Sequence, residues 1–166
     1  MNTEPQREHA WLQTLVGTWT YECALISAEG FAEQRFRGSE TVRSIGGIWI
    51  VAEGSGEAPG DTAVTSLITL GFDPRKGRFT GTWIGSTMTH LWVCDGELDA
   101  SGRILTLASE GPGMGGDGGT ALYRDLIHLK DDDHRILRAL VQEDGTWREF
   151  MTTRYRRSSS LRTPQT

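Results

Sequence analysis

The residues of this sequence that could take part in the most kinds of chemistry lie around His90. An imidazole titrates near neutral pH, so His90 can hydrogen-bond to a ligand, coordinate a metal or transfer a proton. Met88 and Cys94 are close to it in sequence, and thioether, imidazole and thiolate groups all bind soft metals. Alternate residues of a strand are about 7 Å apart, however, so three such side chains are poorly placed to share one ion. The sequence therefore predicts no metal site, and His90 is either a ligand contact or a core histidine.

Other motifs point to no catalytic residue and no cofactor. The stretch from Gly111 to Gly116 spells G-x-G-x-x-G, but a dinucleotide site needs a helix directly after that motif, and here the next residues alternate like a strand. We expect a loop at a barrel rim, which either gates entry or only connects strands. Cys23 and Cys94 are nucleophiles only in principle, because a buried cysteine packs as a small apolar residue. The spacing of the serine, histidine and aspartate residues along the sequence indicates no Ser-His-Asp catalytic triad.

A hairpin would position the residues around His90. Gly85-Ser86 separates two strand-like runs and suits a type II′ turn, which predicts that Trp83 faces Met88 and that Gly81 faces His90. Alternation then assigns residues to one of two faces. The predicted inward face carries Phe79, Gly81, Trp83, Met88, His90 and Trp92. We expect this aromatic face to line a cavity in which His90 is the polar anchor.

A second hairpin is predicted around Asp144-Gly145, a pair that suits a type I′ turn. Its register pairs Gln142 with Trp147, Leu140 with Glu149 and Arg138 with Met151. Both faces mix apolar and polar residues, and we expect the inward face to carry Ala139, Val141, Phe150, Thr152 and Arg154. An inward arginine can bind a ligand carboxylate. The charged candidates for the interior are Arg124, Arg138, Glu149 and Arg154.

The rest of the chain repeats this pattern of short strands and turns. Twenty-one glycines punctuate it, leaving roughly ten strand-like runs and no strand–helix alternation. One helix is predicted, with Thr3 as its cap, Pro5 in its first turn and Gly17 at its end. Its apolar stripe consists of Trp11, Leu12, Leu15 and Val16. The sequence predicts an all-β fold, an antiparallel up-and-down barrel of about ten strands with a short N-terminal helix closing one end.

Length and charge narrow the class of protein further. The 166 residues fit a single domain over 1–157 and a tail over 158–166 that we expect to be disordered. The net charge of −5 lacks the basic face typical of nucleic-acid binding. No apolar run is long enough to span a bilayer, and Met1 to Glu8 has no signal-peptide core. We expect a cytoplasmic protein whose two cysteines are reduced.

The segment from His9 to Trp19 resembles the opening of calycin-type barrels, in which a short helix precedes a Gly-x-Trp on the first strand. In lipocalins that tryptophan packs near an arginine from the end of the barrel. The resemblance implies Arg154 or Arg156 as the partner of Trp19. The haem-binding nitrobindin group is also a ten-stranded barrel, but its longer glycine-rich pattern is replaced here by Thr20-Tyr21-Glu22-Cys23. We therefore expect no haem.

A longer set of segments resembles one bacterial family, the domain-of-unknown-function family number fifteen-seventy-nine. The segments are Leu70-Gly71-Phe72-Asp73-Pro74, Gly81-Thr82-Trp83-Ile84-Gly85-Ser86, Thr89-His90-Leu91-Trp92, Asp95-Gly96-Glu97-Leu98, and Phe150-Met151-Thr152 before Tyr155-Arg156-Arg157. The resemblance extends from about residue 5 to residue 157. It implies a lipocalin-like barrel and no particular activity.

These observations favour a binding protein for a small hydrophobic or amphipathic molecule, held inside the barrel. The predicted ligand contacts are Phe79, Trp83, Met88, His90, Trp92 and Arg154. One alternative is a hydrolase or isomerase with His90 as acid or base, which requires a second titratable group within reach. Another is a filled barrel whose function lies in an oligomeric or partner surface, a homodimer being the expected oligomer. We expect neither a nucleic-acid nor a membrane partner.

Overall fold

The strands of this protein close into a barrel. The computed structural model describes residues 4–27, 34–58 and 60–158. Its elements are α1 (Arg7–Gln13), β1 (Gly17–Leu25), β2 (Gln34–Ile45), β3 (Trp49–Ala58), β4 (Thr62–Asp73), β5 (Arg78–Gly85), β6 (Trp92–Leu98), β7 (Ile104–Pro112), β8 (Thr120–Leu129), β9 (His134–Glu143) and β10 (Thr146–Arg157). Each strand pairs with the next in antiparallel fashion, and β1 pairs with β10. The prediction of an up-and-down barrel of about ten strands is confirmed.

Helix α1 covers one end of the barrel. The backbone N–H of Gln6 donates to Nδ1 of His9 at 2.9 Å, which closes the first turn. The predicted cap, Thr3, lies outside the described residues. Leu12 and Leu15 are at most 1% exposed, and the indole N–H of Trp11 donates to the Gly102 carbonyl at 2.9 Å. In the described part of the chain, no helix is long and apolar enough to cross a membrane.

The end of β10 is fastened to the start of β1. The guanidinium of Arg157 lies 4.1 Å from the centre of the Trp19 ring and donates to the Val16 and Thr14 carbonyls at 2.7 and 2.9 Å. Gly17 has a φ of +139°, and a Cβ there would lie 2.5 Å from Nη1 of Arg157. Glycine is therefore required in this Gly-x-Trp. Of the predicted tail, Ser158 donates to Thr18, and 159–166 lie outside the described residues.

The hairpin at Asp144-Gly145 is a type I′ turn, since both residues have positive φ, 48° and 76°. The pairs Gln142–Trp147 and Leu140–Glu149 are confirmed, but the pair Arg138–Met151 is wrong. A β-bulge between Glu149 and Met151 shifts the register, so Met151 pairs with Ala139.

That bulge also reverses which residues of β10 face the interior. Thr153 and Tyr155 are buried, whereas Arg154 and Arg156 are exposed. The inward placement of Thr152 and Arg154 is therefore wrong. For the same reason the partner of Trp19 is Arg157 and neither of the two arginines that the resemblance implied.

The register expected for the other hairpin is also wrong. Trp83 pairs with Trp92, and Gly81 pairs with Cys94. The turn fails to form at Gly85-Ser86 because Ser86 continues the pairing with β4: its N–H donates to the Thr65 carbonyl at 2.9 Å and its Oγ accepts from the Thr65 N–H at 3.0 Å. Residues 86–91 therefore form a loop that contains Met88 and His90.

Burial divides the interior into two regions. In the helix half, the inward side chains are at most 2% exposed; they include Leu12, Leu15, Trp19, Val42, Ile50, Leu70, Phe79 and Leu105. In the loop half, at the opposite end, the inward side chains are only half-buried; they include Phe36, Val64, Ser66, Trp83, Trp92, Ser109, Phe150 and Met151. Side chains therefore fill the first region more completely than the second.

Candidate ligand site in the loop half

A row of rings follows the wall of the loop half. The ring of His90 meets Trp92 edge to face at 4.8 Å between centroids, and Trp92 meets Tyr123 in the same way at 4.8 Å. Tyr123 in turn contacts Phe150 at 6.0 Å. The row extends from the 86–91 loop across β6 and β8 to β10. It forms a continuous aromatic surface facing the interior.

A glycine on the intervening strand makes this row possible. A Cβ on Gly111 of β7 would lie 2.4 Å from the Trp92 ring. Without a side chain there, the indole can lie across β7 and reach Tyr123. The indole N–H donates to Sδ of Met88 at 3.1 Å, and the hydroxyl of Tyr123 donates to the Pro112 carbonyl. The polar atoms of the Trp92 and Tyr123 rings are thus engaged, and their ring surfaces are left for other contacts.

Two polar atoms at this end have no partner among the described residues. They are Nε2 of His90 and Nη1 of Arg148, both buried. The other nitrogens of Arg148 donate to Glu143 at 2.9 and 3.0 Å. A buried polar atom without a hydrogen bond costs about 1–3 kcal/mol. A water molecule or a bound molecule could supply the missing hydrogen bond at either atom.

Four of the six predicted contacts lie in this region. Trp83 faces inward opposite Trp92, His90 packs against Trp92, and Met88 is 46% exposed in the same loop. Phe79 is elsewhere: it is 1% exposed in the helix half, and its ring packs against Trp11 and Phe72. Arg154 is exposed on the outer face. The structure therefore gives these two residues no place in the site.

The charged candidates named from the sequence lie outside the barrel. Arg124 lies 4.1 Å from the Trp147 ring, and Arg138 donates to Glu149 at 2.8 Å. Other charged residues face inward on the strands, among them Glu40, Asp125, Arg135 and Arg148. Sequence reasoning missed all four, although Asp125 alternates with Tyr123 and Ile127 on one strand.

Glu40 and Arg135 form a buried ion pair, with side chains 5% and 8% exposed. The guanidinium of Arg135 lies 4.0 Å from the Tyr155 ring centre and 4.7 Å from that of Trp19. Burial raises the pKa of Tyr155, followed by the effect of the Glu40 charge. Tyr155 therefore stays protonated at neutral pH, and the pair adds no net charge to the interior.

Both cysteines are free and protonated at neutral pH. Burial raises the pKa of Cys94 to about 11, with a further contribution from the charge of Asp125. Burial also raises the pKa of Cys23. Since the thiolate is the nucleophilic form, neither is activated for covalent chemistry. Among the described residues, no cluster of three His, Cys, Asp or Glu side chains could hold a metal ion.

From Gly113 onward the glycine-rich stretch forms a loop at the rim, as expected, whereas Gly111 and Pro112 end β7. The Gly113 N–H donates to the Gly119 carbonyl at 2.8 Å, and β8 begins at Thr120. A strand thus follows the G-x-G-x-x-G letters, so the helix N-terminus that would bind phosphates is missing. Met114 in this loop lies 4.0 Å from Arg148, which places the loop beside the site.

A separate cleft of about 450 Å³ lies at the helix end, beside Arg157. Its lining mixes both signs of charge: Arg103, Lys130, Arg157, Asp131 and Asp132. Arg157 is already engaged, since it donates to the Asp132 carbonyl at 2.9 Å. This mixture favours no single class of ligand.

Solved structures with the same fold are distant in sequence. One is Rv2717c from M. tuberculosis, 12% identical with a TM-score of 0.68, covering 94% of this chain and 100% of that one. Another is the S-type phycobiliprotein lyase CPES from Guillardia theta, 12% identical with a TM-score of 0.61, covering 94% and 99%. A third is EF1p2_mFAP2b bound to DFHBI, 10% identical with a TM-score of 0.50, covering 91% and 99%. At these identities the likeness concerns the fold alone.

Sequence comparison, unlike the comparison of folds, identifies the family of this chain. No curated protein matches it. A family model matches residues 4–157, nearly the whole chain, and its description is a protein of unknown function, DUF1579. The sequence resemblance to that family is therefore confirmed. This chain belongs to the DUF1579 family.

Proposed function

We propose that this protein binds a small apolar or amphipathic molecule in the loop half of the barrel. One observation carries the proposal: Trp83, Trp92 and Phe150 face the interior of a closed barrel and yet are only half-buried. An aromatic-lined concavity with a few polar groups is the usual form of a small-molecule site. A barrel of this size can hold one small ligand.

The polar atoms and the fold add support. Nε2 of His90 has no partner in the described structure and can hydrogen-bond to a ligand at the rim. Barrels of the same fold include a protein whose structure is bound to DFHBI. That likeness supports the capacity of the fold for small molecules.

The enzyme alternative has less support from the geometry. Acid–base catalysis by His90 needs a second titratable side chain within hydrogen-bond reach. Among the described residues, the ring contact of His90 is with Trp92, and its Nε2 has no hydrogen bond. A filled, inert interior is also less favoured, because the inward rings of the loop half keep accessible surface.

Titration with the fluorescent dye N-phenyl-1-naphthylamine, which is uncharged at neutral pH, tests the proposal. The dye should brighten on binding the native protein, and Trp92→Ala should weaken binding about fivefold, the equivalent of one aromatic contact worth about 1 kcal/mol. Trp147→Ala is the matched control, because Trp147 lies on the outer face at the same end. No dye binding, or equal loss in both variants, would count against a site in the lumen.

A further inference from the structure

Asp125 is a carboxylate in an apolar part of the barrel wall. It lies on β8 and pairs with Leu107 of β7 and Ala139 of β9, so all three side chains face inward. Leu107 is 6% exposed and Ala139 is 2% exposed. Tyr123, two residues away on the same face, is 7% exposed. The carboxylate therefore has apolar neighbours on both adjacent strands.

The carboxylate has no partner within the described chain. No hydrogen bond or ion pair is formed with it, and burial is the cause of its altered pKa. Other acidic groups near the interior are paired: Glu40 with Arg135, and Glu143 at the rim with Arg148. An isolated ionised carboxylate in apolar surroundings is costly unless a partner compensates it.

Asp125 is nevertheless accessible, since the residue is half-buried although its side chain faces inward. Burial raises its pKa to about 6, so the carboxylate is mostly charged at neutral pH. The titratable groups that face the interior around it are Cys94 on β6, Tyr123 on β8 itself, Arg135 on β9 and Arg148 on β10. The first two are protonated at neutral pH, and the two arginines are paired with Glu40 and Glu143.

We propose that Asp125 is the ligand-binding carboxylate of this lumen and that the ligand carries a protonated amine on an apolar or aromatic body. This inference rests on the proposed function and narrows its ligand class. A cation would compensate the unpaired carboxylate, which a neutral or anionic ligand does not. The aromatic row beside it, Trp92 and Tyr123, favours the same charge, because ring faces attract cations.

Two probes with the same body test this inference: 1-naphthylmethylamine, which is cationic, and 1-naphthylmethanol, which is neutral. Binding is measured by isothermal titration calorimetry at pH 7.5. We expect the amine to bind at least about tenfold more tightly, the scale of one charge-assisted contact. Asp125→Asn should remove this preference and leave the affinity for the alcohol within about twofold. Glu110→Gln, the loss of one acid on the outer face of β7, should change neither affinity.

The wild-type protein offers a second measurement that does not depend on a variant folding. Between pH 7.5 and pH 5 most of the carboxyl becomes protonated and the probe stays cationic, so the affinity for the amine should fall at least about fivefold while that for the alcohol stays constant. Equal binding of both probes, or an unchanged preference in Asp125→Asn, overturns the inference alone. If neither probe binds, the proposed function fails and the inference fails with it.

Discussion

The same ten strands build two different interiors in this barrel. In the helix half, Leu12, Phe79 and Leu105 are at most 1% exposed. In the loop half, Trp83, Trp92 and Phe150 face inward and stay half-buried. Helix α1 and the turn that follows it account for much of the difference, because they add Trp11, Leu12 and Leu15 to one end only. The comparison teaches that tight packing is concentrated at one end, whereas the proposed ligand site lies at the other.

Replacing one phenylalanine in each half would test this division. Phe79→Ala removes a fully packed ring and should lower the free energy of unfolding by about 4 kcal/mol. Phe150→Ala removes a half-buried ring and should cost about 1–2 kcal/mol, since less apolar surface is lost from burial. Urea unfolding measures both values. Equal costs would show that the two halves are packed alike.

Glu40→Gln and Glu22→Gln compare the stability contributed by a buried ion pair with that contributed by an exposed one. Loss of the Glu40 charge leaves Arg135 buried and uncompensated, which should cost about 3 kcal/mol. Glu22→Gln breaks a pair with Arg37 whose side chains are 63% and 81% exposed, and it should cost less than about 1 kcal/mol. Thermal unfolding of the two variants gives the comparison. Similar melting temperatures would contradict a structural role for the inner pair.

Asp125→Asn should stabilise the protein at neutral pH, by up to about 3 kcal/mol. The folded-state pKa of about 6 lies above the ordinary value of 3.8, so the folded state binds more protons between these values. Wild-type stability should therefore be full below roughly pH 4 and fall until roughly pH 6. Urea unfolding at pH 4 and pH 7.5 measures this loss, which Asp125→Asn should lack. A parallel pH dependence in both proteins would place the carboxyl in contact with bulk water.

Gly111→Ala tests whether the Trp92 ring lies across β7 in the aromatic row. Its Cβ would lie 2.4 Å from the Trp92 ring, so the indole must move; we expect a cost of about 1–2 kcal/mol and weaker dye binding. Gly115→Ala is the control, because nothing lies within 4 Å of a Cβ there. Urea unfolding and dye titration are read together. If Gly111→Ala behaves like the control, Trp92 is not held across β7.

The sequence was most informative where alternation alone decides the outcome. Ten strand-like runs and the helical stripe predicted the barrel, and parity placed Trp83 and Trp92 inward. The pairing of these strands was predicted wrongly, because Ser86 hydrogen-bonds to Thr65 on β4, a partner that no local turn pattern shows. The prediction of which side chains face inward stayed correct, because the observed loop shifts the register by an even number of residues.

The interior charges were harder to predict because a bulge changes parity. One extra residue at Phe150 turns Tyr155 inward and Arg154 outward. Asp125 was missed since hydrophobic pattern alone gives no reason to place an acid inside a barrel. A ligand bound in the lumen, a cytoplasmic location and a homodimer stay predictions, as does the expected lack of nucleic-acid and membrane partners.

Arg157 also determines when the fold can be completed during synthesis of the chain. Its bond to the Val16 carbonyl joins positions 141 residues apart, and β1 gains its second neighbour only from β10. Without β10, strands β1 and β9 would each have an unpaired edge, and unpaired edges favour aggregation. A chain that stops before Thr146 lacks β10 and is therefore an incomplete sheet rather than a smaller barrel, since only the last strand encloses the lumen.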